Sequence, residues 1–153
     1  MPVRTAYAGA AVAGEVLTAA NVKKMPGGWI GYAEITADVV GFTVTPTDIA
    51  GLAVTVTVET GRRIRVTGDV YMSNATASQT NIININEGAT VLQQRGAAHL
   101  STSVGIHAEV ILTPTAGSHT YKLQAFTSAG AGTIKGNATY PCHIFVEDLG
   151  PAS

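Results

Sequence analysis

The sequence carries little charge for its length. Lysine and arginine number nine and aspartate and glutamate ten, so charged residues make up 12% of 153 residues, about half of the usual share. The formal net charge is −1, and a basic surface for nucleic acid does not follow from such a balance. We therefore expect a surface made mainly of Thr, Ser, Asn and Gly, and no nucleic-acid partner.

Cysteine and long apolar runs are also scarce. Cys142 is the single cysteine, which excludes an intrachain disulfide and a zinc site built from several cysteines. It lies in the apolar run CHIFV, so we predict a small buried side chain. The sequence lacks the run of about 18 apolar residues that spans a membrane, and its Ala-rich start is a poor secretion signal. We expect a soluble protein that is not exported and has no membrane partner.

Residues 1–28 differ in composition from the rest of the chain. Ala and Gly dominate them, and they offer at most one short helix with a thin apolar edge. So short a helix is marginal alone, and a weak segment can gain its order from a partner. We predict that residues 1–28 form a docking arm, whose partner-docking residues are Leu17, Val22, Met25 and Trp29.

From Trp29 onward, apolar and polar residues alternate with the period of a β-strand. Tyr121, Leu123 and Ala125, for example, share one face of a segment whose other face is polar. About nine strands are predicted, at 31–36, 53–59, 63–72, 80–87, 90–95, 104–112, 120–126, 133–139 and 142–146. This spacing predicts an all-β jelly-roll β-sandwich of about 8–10 antiparallel strands over residues 29–153, preceded by the extended arm.

The last predicted strand, Cys142 to Val146, has almost no polar face. Such a strand is expected inside a sheet, between two neighbours. The polar residues that follow, Glu147 to Pro151, are predicted to leave the sheet and close it.

His107, Glu109, Pro141 and Cys142 give part of the H-x-E and P-C-x-x-C pattern of zinc deaminases. The second cysteine of that pattern is missing, because Cys142 is followed by His, Ile, Phe and Val. The all-β pattern is also unlike such an enzyme. We predict no catalytic residue here.

Four histidines, His99, His107, His119 and His143, could be metal ligands, since imidazole binds metals often. They lie in separate segments without a closely spaced pair. Surface or hydrogen-bonding roles are therefore favoured, and we predict no metal site and no cofactor.

Arg62, Arg63 and Arg65 form the main basic cluster. They could bind an acidic partner, but such a cluster close to Glu59 and Asp69 is more typical of a solvated or salt-bridged strand edge. Both interpretations remain open at this point.

Nearly the whole chain resembles a family of small virion proteins from tailed phages of actinobacteria. The matching segments are 14–22, 26–34, 113–123 and 146–151, with the sequences GEVLTAANV, PGGWIGYAE, TPTAGSHTYKL and VEDLGP. The resemblance implies a jelly roll of the tumour-necrosis-factor and complement type, assembly as a homotrimer, and a structural or adhesive role. It carries over no active-site residue.

The function expected from this resemblance is that of a non-enzymatic, trimeric capsid decoration protein, attached to the major capsid protein through its N-terminal arm. The alternative is a minor tail or tail-tip protein that contacts tail proteins and a host-surface glycan. Either would be made in the cytoplasm of the bacterial host and end in the virion. A cell-wall hydrolase would need paired carboxylates, and the spacing of Glu59, Asp69, Glu87 and Glu109 pairs none of them.

Overall fold

A computed structural model describes residues 26–99, with the side chain of His99 excepted, and residues 103–152. This part of the chain forms ten β-strands. Their bounds are β1 Gly28–Ile35, β2 Val39–Phe42, β3 Thr47–Val58, β4 Arg62–Asn74, β5 Gln79–Glu87, β6 Thr90–His99, β7 Val104–Leu112, β8 Gly117–Thr127, β9 Gly132–Ile134 and β10 Cys142–Pro151.

The strands build two antiparallel sheets. The first has the order β1-β10-β4-β9-β2, with β7 paired to the other edge of β4, and the second has the order β3-β8-β5-β6. Consecutive strands cross repeatedly from one sheet to the other, which is the arrangement of a jelly roll. The predicted fold class is therefore confirmed.

The core lies between the two sheets and is filled by alternate residues of each strand. Tyr121, Leu123 and Ala125 of β8 are all fully buried, as predicted from their spacing. Cys142, Ile144 and Val146 of β10 are fully buried too, and β10 lies between β1 and β4. The expectation that the closing strand lies inside a sheet is confirmed.

The first three strands differ from the prediction. β1 begins at Gly28 and includes Trp29, and β2 was not predicted at all. β3 begins at Thr47 because an irregularity lies between Asp48 and Ala53, where the pairing with β8 shifts. Gly51 within this irregularity has a φ of 87°, which interrupts the alternation on which the sequence prediction depends.

β9 ends at Ile134, so the predicted strand at 133–139 was wrong over most of its length. The side-chain carbonyl of Asn137 accepts hydrogen bonds from the backbone N–H groups of Thr139 and Tyr140, each at 2.9 Å. An asparagine that bonds the backbone two residues on favours a turn over a strand.

The polar residues after Val146 were predicted to leave the sheet, but they remain in it. β10 continues through Glu147 and Asp148 to Pro151 and pairs with β4. Asp148 can remain in the ladder because Arg62 at the start of β4 binds its carboxylate, with Nε 3.1 Å from Oδ1. Strand β6 is also longer than predicted, since it reaches His99 instead of Arg95.

The predicted short helix of the arm and the docking residues Leu17, Val22 and Met25 lie outside the described residues. The described part of the chain contains no helix that is long and apolar enough to cross a membrane.

Candidate functional site

The outer face of the β1-β10-β4-β7 sheet carries most of the candidate functional side chains. The antiparallel register aligns them in three rows that run across the four strands. The rows are Glu34-His143-Asp69-His107, Tyr32-Phe145-Thr67-Glu109 and Trp29-Glu147-Arg65-Ile111.

Four of these side chains, Trp29, Tyr32, His143 and Phe145, form a continuous layer that we call the aromatic strip. The ring centroids of Trp29 and Phe145 are 5.3 Å apart with planes at 19°, and those of Trp29 and Tyr32 are 5.9 Å apart. His143 lies 5.8 Å from Phe145 and 6.0 Å from Tyr32. Stacking at these distances stabilises a flat apolar surface.

The strip is open to solvent in the single chain. Trp29 is 68% exposed and Tyr32 is 46% exposed. The Tyr32 hydroxyl donates a 2.5 Å hydrogen bond to Glu34, and this bond to a carboxylate raises the pKa of Tyr32. Of the predicted docking residues, Trp29 is the one that the structure describes. It lies in strand β1 of the sandwich, and its docking role stays a prediction.

A second cluster joins two histidines to one carboxylate. Nδ1 of His107 lies 2.7 Å from Oδ1 of Asp69, and Nε2 of His143 lies 3.2 Å from Oδ2 of the same group. The three residues come from different strands and meet because Asp69 pairs with both His107 and His143 in the ladders. Among the described residues, no group of three or more His, Cys, Asp or Glu has an arrangement that could hold a metal ion.

The arginine cluster is divided between separate acidic partners. Arg62 binds Asp148, while Arg65 lies 3.6 Å from Glu109 and 3.7 Å from Glu147. The salt-bridged interpretation is confirmed for these two arginines, although their partners are not the Glu59 and Asp69 that are close in sequence.

The residues that partly match the zinc-deaminase pattern do not form one site in the structure. His107 is exposed on the outer face of β7, whereas Cys142 points into the core. Burial raises the pKa of the Cys142 thiol, whose sulfur accepts a 3.3 Å hydrogen bond from the backbone N–H of Tyr71. The thiol is thus a buried side chain, as predicted.

His119 lies on the other sheet, at the start of β8. Its Nδ1 is 2.6 Å from a carboxylate oxygen of Glu87, and its Nε2 is 2.9 Å from the backbone carbonyl oxygen of Thr115. The bond to Glu87 and the bond to the carbonyl both raise the pKa of His119. Because both ring nitrogens face acceptors, the geometry is satisfied when the imidazole carries two protons.

Tyr32, Phe145, Tyr71 and Tyr140 are surface aromatic residues that the sequence analysis did not single out. The signal that could have found Tyr32 and Tyr71 is the polar face of a strand, where an aromatic residue is unexpected.

Comparisons with known proteins give a fold and no family. No protein-family model matches the chain, and no curated protein matches it significantly. Among solved structures, Eiger TNF from S. frugiperda is similar with a TM-score of 0.52 at 13% identity, over 82% of this chain and 96% of that one. Murine APRIL has a TM-score of 0.44 at 7% identity, over 80% and 99% of the two chains. A Bacillus endospore appendage protein has a TM-score of 0.42 at 12% identity, over 88% and 97%. The likeness to Eiger TNF shows that this chain forms a TNF-like jelly-roll β-sandwich.

Proposed function

We propose that this protein is a non-enzymatic structural protein of a tailed-phage virion, which forms a homotrimer and decorates the capsid. The observation that carries the self-association is the aromatic strip. The virion placement is supported by the sequence segments that resemble small phage virion proteins, three of which lie in β1, at the start of β8 and in β10.

The aromatic strip is the surface through which the copies associate. Large exposed aromatic surfaces mark interaction sites in soluble proteins, and aromatic residues are enriched in the cores of such interfaces. Trp29, Tyr32 and Phe145 carry no charge, so a second copy can cover them without burying an unpaired ion. Closed symmetric rings are the usual outcome of association between identical chains.

The acidic residues support a non-enzymatic role. A glycosidase holds two carboxyl groups across a cleft, but here three of the four candidate carboxylates are each bound to a different basic side chain. Asp69 contacts His107, Glu109 contacts Arg65, and Glu87 contacts His119.

Light scattering tests the trimer. At low micromolar concentration, the full-length protein should have three times the 15.7 kDa mass of the chain. The double variant Trp29→Ala, Tyr32→Ala should dissociate, because it removes the two most exposed rings of the strip. Val91→Ala is the matched control, since Val91 is exposed on the opposite sheet. A monomeric wild type would refute the trimer, and a variant that stays trimeric would refute this interface.

Gold-labelled antibody on intact virions tests the placement. Label over the head is expected for a decoration protein that the arm attaches to the major capsid protein. Label confined to the tail would favour the second candidate, a minor tail protein. Deletion of residues 1–28 should leave a folded sandwich that no longer joins particles, and retained incorporation would contradict the docking role of the arm.

A further inference from the structure

A groove lies beside the aromatic strip, between the outer face of β4 and β7 and the loop that joins β9 to β10. Its larger part has a volume of about 460 Å³, and a second, adjacent part has a volume of about 360 Å³. Tyr71 and Tyr140 line both parts. Each volume falls within the range of roughly 300–1,000 Å³ that is typical of sites for small ligands.

The two tyrosines present their rings to solvent. Tyr71 is 44% exposed and Tyr140 is 60% exposed, and their ring centroids are 6.1 Å apart with planes at 58°. Tyr71 is fixed by strand β4, and Tyr140 by the turn in which Asn137 binds its backbone N–H. The backbone on both sides of the groove is therefore held in place, so little ordering free energy is lost when a ligand binds.

The larger part of the groove has a polar floor made by Asp69, His107 and His143. The carboxylate of Asp69 holds one nitrogen of each imidazole, at 2.7 Å for His107 and 3.2 Å for His143. The second nitrogen of each ring can then accept or donate a hydrogen bond, depending on the protonation of the ring. The thiol and backbone beneath contribute no competing charge, because Cys142 faces the core.

The charges of the lining exclude a site built for anions. Lys135 is the one lysine or arginine among the described lining residues, and its ammonium group lies 2.6 Å from a carboxylate oxygen of Asp38. The carboxylate of Asp69 is in turn held by histidines. Among the described residues, a phosphate or a nucleic-acid backbone would meet no unpaired lysine or arginine here, whereas recognition of such groups depends on arginine or lysine.

We infer that this groove binds a neutral carbohydrate. The rings of Tyr71 and Tyr140 can pack against the apolar C–H face of a sugar, while tyrosine hydroxyl groups, Asp69 and the two imidazoles bind its hydroxyl groups. The combination of exposed amphipathic rings with a few fixed polar groups is what such a ligand requires. This inference goes beyond the structural role. The groove and the aromatic strip are different surfaces that have His143 in common.

Saturation-transfer NMR on the full-length protein tests the inference, with the neutral trisaccharides maltotriose, cellotriose, mannotriose and chitotriose at millimolar concentration as probes. We expect transfer to the ring C–H protons of at least one of them. Tyr71→Ala and Tyr140→Ala should each lower its affinity by roughly tenfold or more. Tyr140→Phe should keep most of the affinity because it keeps the ring, and Val91→Ala should bind like the wild type.

Light scattering on the same samples separates this result from the trimer. Loss of sugar binding in a Tyr71 or Tyr140 variant of unchanged mass supports the site. Absence of transfer to all four trisaccharides, or equal transfer in the wild type and both alanine variants, would overturn it. Displacement of the sugar by inorganic phosphate would overturn the neutral character of the ligand.

Discussion

Replacement of Tyr121 by phenylalanine should stabilise the protein. Tyr121 has no exposed surface, and its buried hydroxyl has no hydrogen-bond partner among the described residues. Proteins lose about 1–3 kcal/mol when they bury such a group unpaired. Phenylalanine keeps the ring and its stacking on His119, whose centroid lies 6.2 Å away, and leaves a void smaller than a methyl group. We expect a net gain of about 1 kcal/mol, which corresponds to a rise in Tm of roughly 2–4 °C for a domain of this size.

Urea unfolding followed by circular dichroism measures this gain, at one protein concentration so that self-association does not differ. Tyr32→Phe is the control, because the Tyr32 hydroxyl is exposed and its loss should change stability little. Alkaline pH gives a second measurement. Burial, with a further contribution from the Glu87 charge, raises the pKa of Tyr121 from 10 to about 12. The wild type should therefore lose stability as pH rises from 10 toward 12, and Tyr121→Phe should not lose this contribution. A variant less stable than the wild type at neutral pH would refute the argument.

Two further predictions concern the other sheet and the core. The pKa of His119 is raised in the folded state, so protonation of this side chain stabilises the fold fully below its unfolded pKa of 6.5, and the contribution is lost as pH rises through the folded pKa. Chemical unfolding measured as a function of pH should show this loss of stability in the wild type and not in His119→Gln. Parallel curves of stability against pH for the two proteins would contradict the prediction. Gly68→Ala should cost about 1–3 kcal/mol in unfolding free energy, because its added Cβ would lie 2.6 Å from Cδ2 of buried Leu123. Gly105→Ala is the control, with its nearest atom 3.6 Å away, and equal stability of the two variants would show that Leu123 can move aside.

The buried faces could be predicted from the sequence because they depend on alternation within one strand. Tyr121, Leu123 and Ala125 show this, since each is buried as its spacing requires. Prediction failed where alternation is broken, as at Gly51 in β3, or where polar residues stay in a ladder through an ion pair, as Asp148 does with Arg62. For Asp148 the deciding interaction is with a residue that is distant in sequence.

The candidate sites could be predicted only in part for the same reason. Asp69, His107 and His143 lie in three strands, and their contact depends on the register of β4 with β7 and with β10. A one-residue slip in either ladder would turn one histidine to the opposite face. The groove depends in addition on the Asn137 turn, which places Tyr140 beside Tyr71.

The position of the aromatic strip supports the proposal of a closed oligomer. Among the described strands, β1 pairs with β10 alone, so it is an edge of its sheet. An exposed edge strand can pair with other chains, and soluble proteins shield such edges. Trp29 and Tyr32 lie on this same strand, so the unpaired backbone and the exposed rings occur together. A ring of identical copies that covers the strip would shield the edge at the same time, whereas an open chain of copies would leave both exposed at its end. This coincidence favours the proposed closed oligomer over a monomer or a filament.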